Sequence, residues 1–389
     1  MNKSRLILVI LAGLNAVLLG IIYHCQFGAE RNEPKLVGGP GSVIVERSTL
    51  VNLNNGKWIG SFRAHDGSIY LRDHLKSVDG GKTVIQQDGV DVEALTKDPG
   101  LTAIAMDGLF YATGGTPTRI GPGMYRTWAW RSTDELKSIA KEEVLISIPQ
   151  GPQRDAGPNE WYGVHIHRSI VQLTDRSWLM TMYGNFSEDT LLPQDLDASK
   201  ETTYMTRAFV VRSIDKGHSW QFVSNIAVPR FGDPVGEGFG EPTMVLLEDG
   251  TLLTIMRTGH HFPLYASWSS DQGKSWTAPT YTGLDRGCDP HLIRLRDGRL
   301  VLSWGRRYPE GWSKIVPEGD QSLFKYPGKG YLNLAVSNDN GRTWENDKVA
   351  SEVGSAYSTI FEVEPNVLFV QVDQWYWRIQ LRPRVTGRT

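Results

Sequence analysis

One eight-residue pattern, Ser-x-Asp-x-Gly-x-(Ser/Thr)-Trp, returns along almost the whole chain, and a repeated unit limits the available folds more than any single residue does. It stands complete at Ser213–Trp220, Ser269–Trp276 and Ser337–Trp344. At Ser77–Val84 a valine replaces the last aromatic residue, and at Ser132–Ile139 both the glycine and the tryptophan are gone. The pattern reads as a hairpin turn: Asp and Ser side chains bond back to nearby amides, Gly supplies a positive φ, and Trp packs beneath. Such a turn is a device for folding and carries no chemistry of its own.

A second repeat lies upstream of each turn, namely an apolar strand, a turn residue and another apolar strand. Aligned on the turn residue, these units centre on Gly56, Gly108, Arg176, Gly250, Gly298 and Asn366. Nothing between them has helical periodicity. The sequence therefore predicts an all-β chain, a six-bladed β-propeller with four-stranded antiparallel blades. The last unit runs out of residues before a fourth strand, and Leu36 to Val45 is strand-like, so an N-terminal strand is expected to close the ring. Closure removes exposed sheet edges.

The chain has 389 residues, a net charge of −2 and 22% charged residues, with the two signs interspersed, so no nucleic-acid partner is implied. Cys25 and Cys288 give no disulfide framework and no thiolate metal site. The apolar run from Leu6 to Tyr23 behind Lys3 and Arg5 reads as an export signal or a signal anchor, residues 1–25, followed by a linker over 26–40 and the propeller over 41–389. The expected location is extracytoplasmic, secreted or tethered to a membrane through residues 6–23, as a monomer.

In a propeller the innermost strand of each blade opens at the axial funnel where ligands bind. Nine residues before each turn residue stand Arg47, Pro99, His167, Glu241, Asp289 and Tyr357, and seven after it stand Arg63, Gly115, Tyr183, Arg257, Gly305 and Asp373. The register thus predicts one pocket of arginines, carboxylates, His and Tyr drawn from the whole chain.

With these residues the chain resembles the sialidase (neuraminidase) superfamily, whose six-bladed propellers carry the same turn, the Asp box. The resemblance runs from about Arg47 to Asp373. Arg47-Ser-Thr-Leu50 fits the family's first arginine, Glu241 to Arg257 its Glu and Arg pair, Ala356-Tyr357-Ser358 its nucleophile, and Asp373 the acidic residue that steadies the first arginine. The family's acid/base Asp falls on Asp66, with Asp73 as competitor. Its third arginine has no match; Lys329, Arg306 or Arg307 would have to replace it.

The resemblance implies a glycoside hydrolase that removes a terminal acidic sugar, sialic acid or a similar one, from a glycan or glycoconjugate by a retaining mechanism, without a metal or other cofactor. Tyr357 would be the nucleophile, Glu241 its base and Asp66 the acid/base; Arg47, Arg63, Arg257, His167, Asp289 and Asp373 would contact substrate. A neutral phenol suits an anionic sugar. A carboxylate nucleophile ~4 Å from the sugar's own carboxylate would face roughly 4 kcal/mol of repulsion at an effective dielectric of about 20. Two other readings use the same pocket: a glycosidase or lyase for another acidic polysaccharide, built on His167 with Tyr357 or Asp289, and a glycan-binding propeller without activity.

Overall fold

The computed structural model describes residues 35–36, 43–48, 51–52, 61–71, 74–87, 92, 95, 101–149, 163–193, 204–259, 262–284, 287–306, 331–350, 357–372 and 375–384. The apolar segment 6–23, Asp73, Arg307, Lys329 and Asp373 lie outside the described residues. Among those described, no helix is long and apolar enough to cross a membrane. The regular structure is β-strand.

The strands form antiparallel meanders, each named here by its opening residue. The Ser61 meander runs Ser61–Arg63, Ile69–Leu71, Leu75–Ser77 and Ile85–Gln86. The Gly240 meander runs Gly240–Leu246, Leu252–Arg257, Tyr265–Ser269 and Thr280–Tyr281, and the Cys288 meander Cys288–Arg294, Leu300–Arg306, Tyr331–Ser337 and Glu345–Ala350. The Thr102 meander (Thr102–Met106, Leu109–Thr113, Met124–Ser132, Ala140–Ser147) and the Val164 meander (Val164–Gln172, Trp178–Gly184, Arg207–Ser213, Ser219–Ala227) are joined by parallel pairing of Leu145 with Ser219 and Ile146 with Trp220. The Ser358 meander (Ser358–Glu364, Val367–Val372, Trp375–Leu381) receives its next strand from the N-terminal region: Ile44–Arg47 pairs antiparallel with Trp375–Leu381.

The opening strands face one another and leave one edge without a ladder. Side chains satisfy its amides instead. Thr102 Oγ1 accepts from the Arg168 N–H (2.9 Å), Ser169 Oγ from Met244 (2.8 Å), Thr243 Oγ1 from Leu292 (3.1 Å) and His291 Nδ1 from Ile360 (3.0 Å). The second strands, such as Leu109–Thr113, are buried on both faces because a meander packs on either side.

The Asp boxes hold those meanders together. In each, the Ser hydroxyl accepts from the amide four residues on, and the Asp carboxylate takes the amide and hydroxyl of the final Ser or Thr; at Asp271 these are Ser275 N (2.9 Å) and Ser275 Oγ (2.6 Å). The glycine sits at positive φ and lies against the second strand of the preceding meander: Gly217 on Tyr111, Gly273 on Leu179, Gly341 on Leu253, and Gly81 on Phe369. Where the glycine is lost, Leu136 adopts φ 64 and fills a cluster with Phe62 and Tyr70. The Ser358 meander has no box. It is tied to the Cys288 meander by Arg299, whose guanidinium bonds Arg382 O (2.7 Å) and Asn366 Oδ1.

One expectation is corrected. The hairpin joining the first two strands of the Ser61 meander is Ala64–Ser68, with Gly67 at φ 84, and its amide pattern matches the turns at Arg176, Gly250 and Gly298. The turn residue of this unit is therefore Gly67 and not Gly56. Both candidates are glycines behind polar residues, and the strands around Gly67 are only three residues each.

Replacing Gly217 by Ala would place a Cβ 2.6 Å from the buried Tyr111 ring, at φ 90. Left-handed strain and overpacking together are expected to cost about 2–4 kcal/mol, read from the denaturation midpoint. Hydrogen bonds from Ser138 and from Ser275 hold Asp134 and Asp271 down to about 2. A depressed carboxylate stabilises the fold above its unfolded pKa, so this contribution should be lost as pH falls through about 2 and be absent in Asp271→Ala. Melting curves between pH 5 and pH 2 would measure it.

Candidate functional site

Strand direction puts the boxes and the site at opposite ends. Leu252 lies opposite both Leu246 and Ser269, whereas Arg257 lies opposite Gly240, next to Glu241. Three opening strands carry a register shift near the Arg257 end: between Ile166 and Ile170, Gly240 and Thr243, and Cys288 and His291. Such bulges re-aim side chains. Glu241 and Asp289 occupy two of them at φ 44 and φ 49, each followed by a proline, and Arg168 occupies the third at φ 67. Proline is tolerated there because the ladder has already lost an amide. Left-handed backbone at acidic residues is strain of the kind that gathers at functional sites.

The bulges bring His167, Glu241 and Asp289 together with Arg257. Arg257 spans two carboxylates, with Nη1 2.5 Å from Glu241 Oε1 and Nη2 2.9 Å from Glu237 Oε1. The other Glu241 oxygen, Oε2, accepts the Asp289 amide at 2.7 Å. His167 Nε2 lies 3.1 Å from Asp289 Oδ1, and Nδ1 lies 3.3 Å from Pro242 O. A carbonyl can only accept, so Nδ1 carries a proton toward Pro242 O, and Nε2 is the ring nitrogen that faces Asp289. Tyr183 meets the His167 ring edge-on at 6.0 Å and stacks with His165 at 5.0 Å.

The two carboxylates are driven apart. Burial opposes charge on Glu241, but Arg257, His167 and the Asp289 amide outweigh it and hold Glu241 below the usual carboxylate range. Burial and the Glu241 charge push Asp289 up to about 6, against the pull of His167. Tyr357 precedes Ser358–Glu364 and is coupled to the same groups: the Asp289 charge, then burial, then Glu241 raise its phenol well above the ordinary tyrosine value. Burial followed by Glu241 does the same to Tyr183.

Several expected residues lie elsewhere. Arg47 ends the strand that pairs with Trp375–Leu381, opposite Ile379, and does not open the Ser61 meander. Arg63 and Asp66 flank or occupy the Ala64–Ser68 turn, at the box end of the strands. The Asp66 carboxylate bonds Ser68 N (2.9 Å) and Ser68 Oγ (2.7 Å) of its own turn. Despite partial burial those bonds and Lys76 keep it below the usual range, the reverse of what an acid catalyst needs. The cause is the displaced register of the first unit, which carried Arg47 and Arg63 with it.

Sequence reasoning missed Glu237 and Arg168. Glu237 lies outside the aligned positions, in Gly236-Glu237-Gly238, where Gly238 lies against the Thr206 backbone and Gly236 against the Phe262 ring. Arg168 sits one residue past His167, because the bulge there takes up more residues than a regular strand would. Its Nη2 bonds Thr359 Oγ1 at 3.0 Å and its Nη1 lies 3.4 Å from Asp289 O, so it lies directly beneath the acidic cluster.

A family model described as a BNR repeat-like domain matches residues 108–368. No curated protein matches the sequence significantly. Among solved structures, a protein of unknown function from Dyadobacter fermentans is 17% identical, aligned over 88% of this chain and 100% of that one, with a TM-score of 0.58. A Hadza microbial sialidase is 13% identical over 87% of this chain and 69% of that one, with a TM-score of 0.54. The α-L-arabinanase of Penicillium chrysogenum, complexed with arabinobiose, is 12% identical over 86% and 98%, again with a TM-score of 0.54. At such identities the likeness is one of fold, and the fold is shared by enzymes named for different sugars. Together with its Asp boxes, the family match over two thirds of the sequence establishes that the chain belongs to the BNR repeat-like domain family.

Proposed function

We propose that the protein is a glycosidase of the sialidase type, removing a terminal acidic sugar by a retaining double displacement on the axis of a six-bladed propeller of four-stranded blades. The succession of box contacts from each meander to the one before it, including Gly81 on Phe369, supports the propeller reading, as does the pairing of Ile44–Arg47 with Trp375–Leu381. The observation that carries the chemistry is the opposite displacement of Glu241 and Asp289, one held ionised and the other protonated up to about 6. Two neighbouring carboxyls so divided are the signature of an acid and base assignment.

In this mechanism Tyr357 attacks the anomeric carbon and passes its proton to Glu241. Asp289 protonates the leaving oxygen, taking the part first given to Asp66, and His167 fixes which Asp289 oxygen holds the proton. In the second step the Asp289 carboxylate takes a proton from water, the water attacks the anomeric carbon, and Glu241 returns its proton to the departing phenolate. Arg257 keeps Glu241 anionic and oriented.

The same cluster supports a second substrate. Arg257 is already balanced by Glu237 and Glu241, and Arg47 stands on a strand paired on both sides, with Lys35 and with Ile379, away from the opening strands, so the carboxylate clamp of an acidic sugar is weak here. A negative site also favours an oxocarbenium-like transition state on a neutral sugar. The arabinobiose seen in the Penicillium arabinanase is a sugar of that neutral kind.

The full chain should release phenol from an aryl sialoside or an aryl arabinofuranoside, and which of the two it cleaves identifies the sugar class. Release from neither, with unsaturated-product absorbance on a uronate polymer, would replace hydrolysis by elimination. Tyr357→Phe should abolish turnover without moving the melting temperature. Asp289→Asn should lower turnover roughly 10²- to 10⁴-fold on alkyl glycosides and much less on activated aryl glycosides, which need no acid. In the wild type kcat/KM should fall as pH rises through about 6, where Asp289 loses its proton, and this limb should vanish in Asp289→Asn.

A further inference from the structure

Below the site, toward the box end of the opening strands, lies a cavity of about 490 Å³ that the mechanism does not use. Leu101, Ala103 and Phe361 give it apolar walls, and its polar lining includes Arg63, Arg168 and His291. Among the described residues the Arg63 guanidinium makes one hydrogen bond, 2.8 Å to Glu362 O, and its Nη2 faces Gly67 without a Cβ in the way. A guanidinium carries five N–H donors, so most of those on Arg63, which lines the cavity, are left for a ligand or solvent. His291 Nδ1 accepts the Ile360 amide, which leaves the proton on Nε2 as a further donor. Arg168 bonds Thr359 and the Asp289 carbonyl and adds a second cation, this one buried.

The described lining itself carries more cations than carboxylates, Arg63 and Arg168 against Asp66. Asp66 is the carboxylate in the lining, and both of its oxygens are taken by Ser68. Beyond the lining, Arg296 adds positive charge near Arg63 and Glu362 negative charge; burial and then Arg296 disfavour the charged guanidinium, and Glu362 favours it. Two arginines and an imidazole N–H line the pocket beside one carboxylate already bonded to Ser68, so a ligand with several acceptor oxygens suits the lining.

We propose that this lower cavity is a binding site for a tetrahedral oxyanion, phosphate or sulfate, either free or carried on a sugar, with Arg63 as its principal ligand. The space exceeds what an inorganic anion fills, and the apolar wall of Phe361 and Leu101 accommodates a ring beside the charged group. The site is separate from the acidic cluster and does not rest on the glycosidase reading, since its test reads binding and not turnover.

Titration calorimetry of the full chain with inorganic phosphate, with a hexose 6-phosphate and with the neutral hexose would test it. Phosphate also stabilises proteins by exclusion from their surface, so binding heat is the readout and thermal shift alone is not. Saturable heat with either phosphate and none with the hexose is expected. Tighter binding of the hexose phosphate would identify a sugar-borne anion, and equal binding a free one. Arg63→Gln, folded with an unchanged melting temperature, should weaken binding by roughly ten- to a hundredfold. Should that variant not fold, Arg63→Lys keeps the charge but loses the fork, and weaker binding is expected there too. No heat from the wild type, equal heat from the neutral hexose, or binding unchanged in both variants would overturn the proposal.

Discussion

A glycine backed onto a neighbour's ring or leucine is the contact on which the rest of the molecule depends. Each box turn leaves no room for a Cβ, and the group that fills the space, Tyr111, Leu179, Leu253 or Phe369, belongs to the second strand of the preceding meander. A meander therefore completes its own turn only when its neighbour is in place. The second strands, buried on both faces, are the other half of that dependence. Hydrophobic burial supplies the driving force, and the polar turn decides which surfaces may meet. Leu136 shows how the rule bends: with the glycine gone, the side chain itself enters the neighbouring cluster.

Much of this was legible in the chain. The boxes announced hairpins and an all-β fold, and alignment on turn residues put His167, Glu241, Asp289 and Tyr357 in one register, where their charges do interact. The failure was local. Gly56 and Gly67 both follow polar residues within a few positions of apolar ones, and periodicity cannot choose between them when the strands are three residues long. The choice of Gly56 displaced Arg47 and Arg63. Arg168 and Glu237 escaped for a different reason, because bulges and glycine turns break the constant spacing on which alignment relies.

The acidic cluster illustrates how a sheet protein concentrates charge without collapsing it. Arg257 lies between Glu237 and Glu241, and the peptide N–H of Asp289 serves the remaining Glu241 oxygen. With that carboxylate so well served by the protein, burial and then the Glu241 charge raise the proton affinity of its neighbour, so Asp289 is pushed up to about 6 while Glu241 is held down. The bulges make this possible by turning two acidic residues toward one point from adjacent opening strands.

The caps along the opening strands have a consequence for how such a site changes over time. Thr243 and His291 each serve the next strand's amide, two residues after Glu241 and Asp289. The scaffold's fastening and its reactive groups thus occupy separate, fixed places on the same strand. An ancestor could exchange the acidic residue of one meander for another chemistry while the fastening below kept the strands in place. A lineage built this way can diversify its substrates by single substitutions at the mouth and leave the frame untouched.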